Sequence, residues 1–266
     1  MTDTILANLP DTFPWKNKIH HFDVIDSTNT RAKKMAAEGA PHGTVLIADQ
    51  QTGGRGRLGR SFHSPAGSGI YLSVILRPQC HASELMHLTC ATGAAMCDAV
   101  ESACGIRPGI KWTNDLVFQK RKLGGILTEL SLTAEGNVAY AVVGIGINCT
   151  QSEMDFPEDI RPIATSLRLC AKDPIDRSKV IAAMLIQLEN MSQSLLTRKE
   201  QIMNRYRRDC ITVGQEISVI AGENVRYGTA LSVDEDGALV VRFSDGHTEA
   251  VGSGEVSIRG MYGYIQ

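Results

Sequence analysis

The sequence predicts an α+β chain in which helices and short strands share one large unit, with a small all-β unit after it. Three observations carry this. Up to about residue 210, amphipathic helical stretches alternate with short runs of β-branched residues. From Thr212 to Tyr262 the helical period is gone, and five short strands are separated by turn pairs such as Asp236-Gly237 and Asp245-Gly246. The length of 266 residues, with 43% hydrophobic and 21% charged, suits one large and one small domain with ordinary globular cores. We therefore expect one domain over residues 1–211 and a second, a small barrel, over 212–266.

Residues 1–19 read as a short lead-in. Ser27-Thr28-Asn29 precede RAKKMAAEG, a helix that Ser or Thr can cap and Gly39 can end in the left-handed region. Thr44–Ala48 reads as a strand. Residues 50–69 hold seven glycines or prolines, too many for a regular element, and Ile70–Leu76 is the next strand, stopped by Pro78. A helix over 84–104 follows, with Met86, Cys90, Gly93, Cys97, Val100 and Cys104 as its apolar seam. Strands are expected around Gly109–Trp112, Leu116–Gln119, Ile126–Leu130 and Val138–Ile147, then an amphipathic helix over Arg177–Leu196 and a basic helical stretch to Arg208. The five closing strands are EISVIA, VRYGTALSV, ALVVRF, HTEAV and EVSIRG. This last unit has eight acids and three bases, a net −5 that disfavours nucleic acid as its ligand.

Charge and cysteine usage narrow the function classes. Lys+Arg 27 against Asp+Glu 29 gives a net charge of −2, so no global field draws in DNA or an anionic membrane. No apolar run is long enough to span a bilayer, and the N-terminus lacks the order of a secretory signal. The seven cysteines include no CxxC pair and read as small core residues, which points to the cytoplasm. The arginines at 205, 207 and 208 read as a solvated helix face.

Three segments carry chemistry. Gln51-Thr-Gly-Gly-Arg-Gly-Arg-Leu-Gly-Arg60 sets Arg55, Arg57 and Arg60 among four glycines. Glycines let backbone amides approach an anion, and guanidinium forks fit carboxylate and phosphate. Three like charges on a glycine-rich loop oppose ordering, so we expect a loop that closes over a polyanion; a plain surface loop is the alternative. No Gly-Lys-Ser/Thr follows, which removes the common phosphate loop. Next, Lys111-Trp-Thr-Asn-Asp-Leu116 joins two strands, and Asn114-Asp115 also has a plain turn reading. Lys111 and Lys122 are point charges for phosphate or carboxylate oxygens, and Asp115 can accept a proton or face a phosphate-bound magnesium. Lys122 opens Leu-Gly-Gly-Ile-Leu, whose glycines admit a ligand close to the strand. Finally, Val143-Gly-Ile-Gly-Ile-Asn148 strips side chains from one strand face, for a flat ligand or for close packing; Asn148 is a polar contact or a cap.

Taken in order, these segments resemble the biotin–protein ligase family. The matching stretches are Asp26-Ser-Thr-Asn29, Gln51 with Gly54–Arg60, Ser64-Pro65 with Tyr71-Leu-Ser73, Lys111–Leu116, Arg121–Leu127 and Gly144–Asn148. The resemblance covers residues 20 to 150, and the small barrel continues it. It implies a mixed-sheet catalytic domain with flanking helices, of the biotin/lipoate ligase and class II synthetase type, followed by an SH3-like barrel. It implies a two-step reaction in which ATP and biotin give biotinyl-5′-AMP and pyrophosphate. A lysine of a biotin carboxyl carrier domain, from acetyl-CoA carboxylase or a related carboxylase, then attacks the anhydride and releases AMP. By the same resemblance Ser27, Thr28, Asn29 and Gln51 line the ureido end of the biotin site. Gly54, Arg55, Gly56 and Arg57 belong to the ordering loop, and Gly144 falls near the biotin ring. Lys122 contacts the biotin carboxylate and the α-phosphate; Lys111 is expected as a second catalytic cation from its charge alone. Asn114, Asp115 and Asn148 fall on the nucleotide side, with Mg2+ near Asp115 held through the ATP phosphates.

The chemistry agrees with these assignments. The urea presents donors and acceptors, as Ser, Thr, Asn and Gln do. Carboxylate attack on phosphorus joins two anions, which Lys122, Arg57 and magnesium neutralise. Asp115 is expected as base or positioning group in the second step. Three positions depart from the family pattern: Leu58 for another arginine, Phe62 for a tryptophan lid over adenine, and Thr113 for a proline. A helix-turn-helix repressor module has no room in the 26 residues before Ser27, so no operator DNA is expected. Edge strands leave a homodimer open. The alternatives are a lipoate or octanoate ligase on the same scaffold, and a biotin-sensing regulator without activity.

Overall fold

A computed structural model describes residues 2–253 and 256–259. The strands are β1 (Ile19–Ile25), β2 (Thr44–Gln51), β3 (Gly69–Leu76), β4 (Gly109–Lys111), β5 (Asp115–Phe118), β6 (Arg121–Leu132) and β7 (Val138–Asn148), then β8 (Glu216–Ala221), β9 (Asn224–Val233), β10 (Leu239–Phe243), β11 (Thr248–Val251) and β12 (Val256–Arg259). The helices are α1 (Thr2–Ala7), α2 (Thr28–Ala37), α3 (Leu88–Cys104), α4 (Leu167–Cys170), α5 (Arg177–Ser194) and α6 (Lys199–Asp209).

The first seven strands form one sheet in the order β1-β2-β3-β7-β6-β5-β4. β1 runs parallel to β2 and every other pairing is antiparallel, so the sheet is mixed, as the resemblance implies. Helices cover both faces. Ala32 and Ala36 of α2 pack on Leu46, Ile75 and Val142, while α3 and α5 join the larger core on the other face. Small residues on α2 let it lie close to the sheet. That brings Ser27, which caps the helix by accepting from Thr30 N–H, to the carboxyl end of β2. The last five strands form an antiparallel sheet in the order β11-β10-β9-β8-β12. All five match the strands read from the sequence.

Four readings change. The lead-in is structured: Ile5, Leu9, Phe13 and Trp15 are buried, and residues 19–25 are the edge strand β1. The long helix begins at Leu88, after a separate 3-10 turn over Ala82–Leu85 capped by His81 and Glu84, so Met86 lies at the break and is 62% exposed. The glycine-arginine segment is not shapeless: Arg55 bridges Ser61, and Arg57–Gly59 make a short 3-10 turn with Leu58 and Gly59 at positive φ. The α6 arginines are ion-paired, Arg205 to Asp98, Arg207 to Glu235 (2.6 Å) and Arg208 to Asp209 (3.0 Å).

Candidate active site

The chemistry-bearing segments meet in one open cleft over the β7-β6-β5 part of the sheet. One end is a network of neutral polar groups. Thr28 donates to Gln51 Oε1 through its N–H (2.8 Å) and its hydroxyl (3.1 Å). Gln51 Nε2 donates to Ser64 Oγ (3.1 Å), which leaves its second N–H for the cleft. The buried Ser73 hydroxyl sits 2.8 Å from Thr28 Oγ1 and 2.6 Å from Asn29 Oδ1. Asn29 Nδ2 donates to Leu127 O (3.1 Å) and to Glu129 Oε2 (3.0 Å).

The other end is charged. Lys122 Nζ donates to Asp115 Oδ1 at 2.7 Å. A Cβ on Gly125 would lie 3.5 Å from that Oδ1 and 3.6 Å from Nζ, so the glycine leaves the pair open to the cleft. The main chain of Lys122 is fixed by residues 163–165: its N–H donates to Ile163 O (2.7 Å) and its carbonyl accepts from Thr165 N–H (2.9 Å). Above lies the flap of residues 53–62. Arg57 Nη1 donates to Asn114 Oδ1 (3.0 Å) and its Nη2 to the main-chain carbonyl of Ser253. Burial lowers the Arg57 guanidinium from its ordinary value; Asp115 opposes that, and Arg60 adds to it.

The glycines of β7 work by exchange of space. A Cβ at Gly144 would stand 1.9 Å from Asn29 Oδ1, and one at Gly146 would stand 2.6 Å from the Phe62 ring. The vacated face therefore holds two side chains that themselves become cleft walls. A Cβ at Gly124 would instead stand 2.5 Å from the Gly146 carbonyl oxygen, so this glycine serves cross-strand packing.

Residues 21–148 match the model of the Biotin/lipoate A/B protein ligase family, and residues 212–259 match that of the Biotin protein ligase C terminal domain. The bifunctional ligase/repressor BirA of Bacillus subtilis is 36% identical over 229 residues, covering 86% of this chain and 70% of that protein. The chain belongs to the biotin/lipoate A/B protein ligase family. The biotin--[acetyl-CoA-carboxylase] ligase of Mycobacterium tuberculosis is 34% identical, covering 86% of this chain and 85% of that protein. The solved structure of the Aquifex aeolicus biotin protein ligase, in complex with biotin and ATP, superposes with a TM-score of 0.76 at 30% identity, over 92% of this chain and 99% of that one.

Within this ligase family member, Ser27, Thr28, Asn29, Gln51, Arg55, Gly56, Arg57, Phe62, Asn114, Asp115, Lys122 and Gly144 all border the cleft. Three residues singled out in the sequence do not. Gly54 is at the flap root, where a Cβ would meet Phe62 O (2.4 Å) and Ser64 Oγ (2.5 Å). Lys111 is buried on β4 in register with Asp115. Asn148 turns away and donates to Thr165 O (2.9 Å), tying down the segment that holds Lys122. Sequence reading passed over Glu129 and Lys33, joined at 2.6 Å, because only the β6 register brings them behind Asn29. Among the described residues the donors His21, Asp23 and Asp49 also cluster, but none lines the cleft and Arg177 already pairs with Asp49 (3.1 Å).

Proposed function

We infer that this chain is an ATP-dependent biotin–protein ligase that makes biotinyl-5′-AMP and passes biotin to a lysine of a carrier domain. The observation that carries the reading is the polarity of the cleft: a neutral donor–acceptor end built on Thr28, Asn29 and Gln51, opposite the Lys122–Asp115 pair under an arginine flap. Biotin has the same polarity, a neutral urea at one end and a carboxylate at the other. Bound with its urea on Asn29 and Gln51, it places the carboxylate toward Lys122. Lys122 then screens the approach of carboxylate to α-phosphate and the charge that develops on phosphorus. Arg57 and Arg55 close over the anhydride and exclude water, which would otherwise hydrolyse it. Phe62, lying edge-on to Tyr71 with ring centroids 6.5 Å apart, offers a face to adenine.

A magnesium ion would arrive on the ATP phosphates. Asp115 is the one carboxylate among the cleft-lining residues, which fits an ion held mainly by phosphate oxygens. Bound there, it would add positive charge at the phosphates. The proposed acceptor is the biotin carboxyl carrier domain of acetyl-CoA carboxylase or a related carboxylase. The seven free cysteines support a cytoplasmic setting, and among the described residues no helix is long and apolar enough to cross a membrane. A net charge of −2 supports action without DNA, and the open edge of β1 is where a homodimer would pair. Two units, 1–211 and 212–266, remain the proposed domain division.

The test is direct. The chain is incubated with labelled biotin, Mg–ATP and a carrier domain, with lipoate as competitor. Covalent label on the carrier that excess lipoate leaves intact is the expected result. Label displaced by lipoate would favour the lipoate ligase, and absence of biotin-dependent pyrophosphate exchange would overturn the enzyme reading.

A further inference from the structure

We propose that Glu129 is a positioning residue for biotin recognition: it holds the Asn29 amide with its oxygen toward the ligand and anchors the first arginine of the flap. The inference rests on biotin as the occupant of the cleft.

A primary amide has two chemically opposite ends, and a half-turn about its last bond exchanges donor for acceptor. Asn29 sits where that exchange matters. Its side chain fills the space vacated by Gly144 and forms part of the neutral end of the cleft. The Ser73 hydroxyl beside Oδ1 does not choose the orientation, because a hydroxyl donates or accepts equally well. The choice is made on the other side, where Nδ2 faces two acceptors, Leu127 O at 3.1 Å and Glu129 Oε2 at 3.0 Å. Glu129 stays ionised for this task. Burial pushes its carboxyl up, but the hydrogen bonds from Lys33 and Asn29 and the nearby Arg55 outweigh burial and bring it below the ordinary value. A charged acceptor binds an amide N–H about twice as strongly as a neutral one. With Nδ2 held back, Oδ1 keeps a lone pair for a urea N–H.

The second oxygen reaches the flap. Glu129 Oε1 lies 2.6 Å from Lys33 Nζ and 3.8 Å from Arg55 Nη1. It supplies counter-charge at the root of a loop with three arginines, so Arg55 is steered toward the urea end while Arg57 reaches the phosphate end. One carboxylate outside the cleft lining thus orients the floor of the site and ties its cover to it.

The experiment compares wild type, Glu129→Leu and Glu129→Gln in biotin-dependent ATP–pyrophosphate exchange. Biotin is set against the two cyclic-carbamate analogues in which a ring oxygen replaces one urea N–H. Leu127 O remains in every variant, so the expected loss is moderate: the KM for biotin rises about tenfold in Glu129→Leu with kcat within about threefold, the size of one charged hydrogen bond. Selectivity for biotin over the less favoured carbamate falls by the same factor. Glu129→Gln, whose amide oxygen can still accept from Asn29, recovers most of both. Thermal melts of all variants show whether folding is intact, and Glu129→Met, which like leucine offers Asn29 no oxygen acceptor, takes the place of Glu129→Leu if that variant is unstable. Unchanged selectivity, or a loss equal for biotin and both carbamates, overturns the inference while leaving the ligase intact. A wild type inert with biotin overturns the ligase reading and this inference together.

Discussion

At the residue scale, the site depends on atoms that are missing as much as on those present. Gly144→Ala would put a methyl group 1.9 Å from Asn29 Oδ1, on a β7 residue held in register by both β3 and β6. We expect it to displace Asn29, to abolish measurable biotin binding in calorimetry, and to cost about 1–3 kcal/mol of stability, as overpacking does. Asp115 makes a sharper case. From its 2.7 Å bond to Lys122 we propose that it aims the lysine. Asp115→Asn should then slow adenylation and carrier transfer by similar factors, about tenfold each, in separate half-reaction assays; a loss confined to transfer would identify Asp115 as the base. The cationic parts of this site were legible because their signals are local: glycines beside arginines, and a lysine before Leu-Gly-Gly. Glu129 was not, and Ser73 entered only within a matching stretch, since their contacts with Asn29 arise only when β3, β6 and β7 come into register around it. Asn148 had two readings for the same reason: a polar residue ending an apolar strand can be a ligand contact or a structural tie, and here its amide donates to Thr165 O.

At the element scale, periodicity found the interior elements and missed one edge strand, β1. The cysteine seam identified α3 because Cys90 and Cys97 do face the core, yet it ran one turn too far, since Met86 shares the spacing but not the helix. β1 escaped because an edge strand is half-exposed along its length, so its apolar residues follow no clear alternation. The residue before α3 carries a consequence of its own. His87 is fully buried, its Nε2 lies 2.9 Å from Leu195 O and its Nδ1 has no partner, so the ring is held neutral with the proton on Nε2. Burial, the largest influence, lowers its pKa below the ordinary 6.5. The unfolded chain therefore takes up a proton at higher pH than the fold does. The His87 contribution to stability is complete above pH 6.5 and is lost as pH falls through the lower folded value. We expect the melting temperature to drop on acidification below that point, and His87→Gln to flatten the drop. Parallel pH dependence in both proteins would assign the acid sensitivity elsewhere, with His42 next, lowered by burial and by Lys18.

At the scale of the whole molecule, the two sheets share one continuous core, and the ties between them converge on the cleft. The cluster that includes α3 and α5 runs on through Val219, Ala230 and Val241 of the C-terminal sheet. Trp112 donates its indole N–H to Gly237 O (2.9 Å) and its backbone N–H to Thr212 Oγ1 (2.9 Å), while Arg207 of α6 reaches Val233 O (2.6 Å). Two residues beyond Trp112 is Asn114, which Arg57 grips while its other nitrogen bonds Ser253. The C-terminal sheet is thus joined to the flap both from below, through the Trp112 segment, and from above, through Ser253. A shared core predicts one cooperative unfolding transition for the full chain. Trp112→Phe keeps an apolar ring in place and removes one hydrogen bond, which should cost about 1 kcal/mol and lower the melting temperature by about 2–4 °C. Its effect on activity should exceed its effect on stability. Loosening the segment that carries Asn114 weakens the grip on Arg57, so more adenylate escapes before transfer, and free biotinyl-5′-AMP in a quench-flow trace should rise several-fold at an unchanged rate of adenylation. Two resolved calorimetric transitions in the wild type, or retention of adenylate in Trp112→Phe, would mean that the sheets fold and act separately.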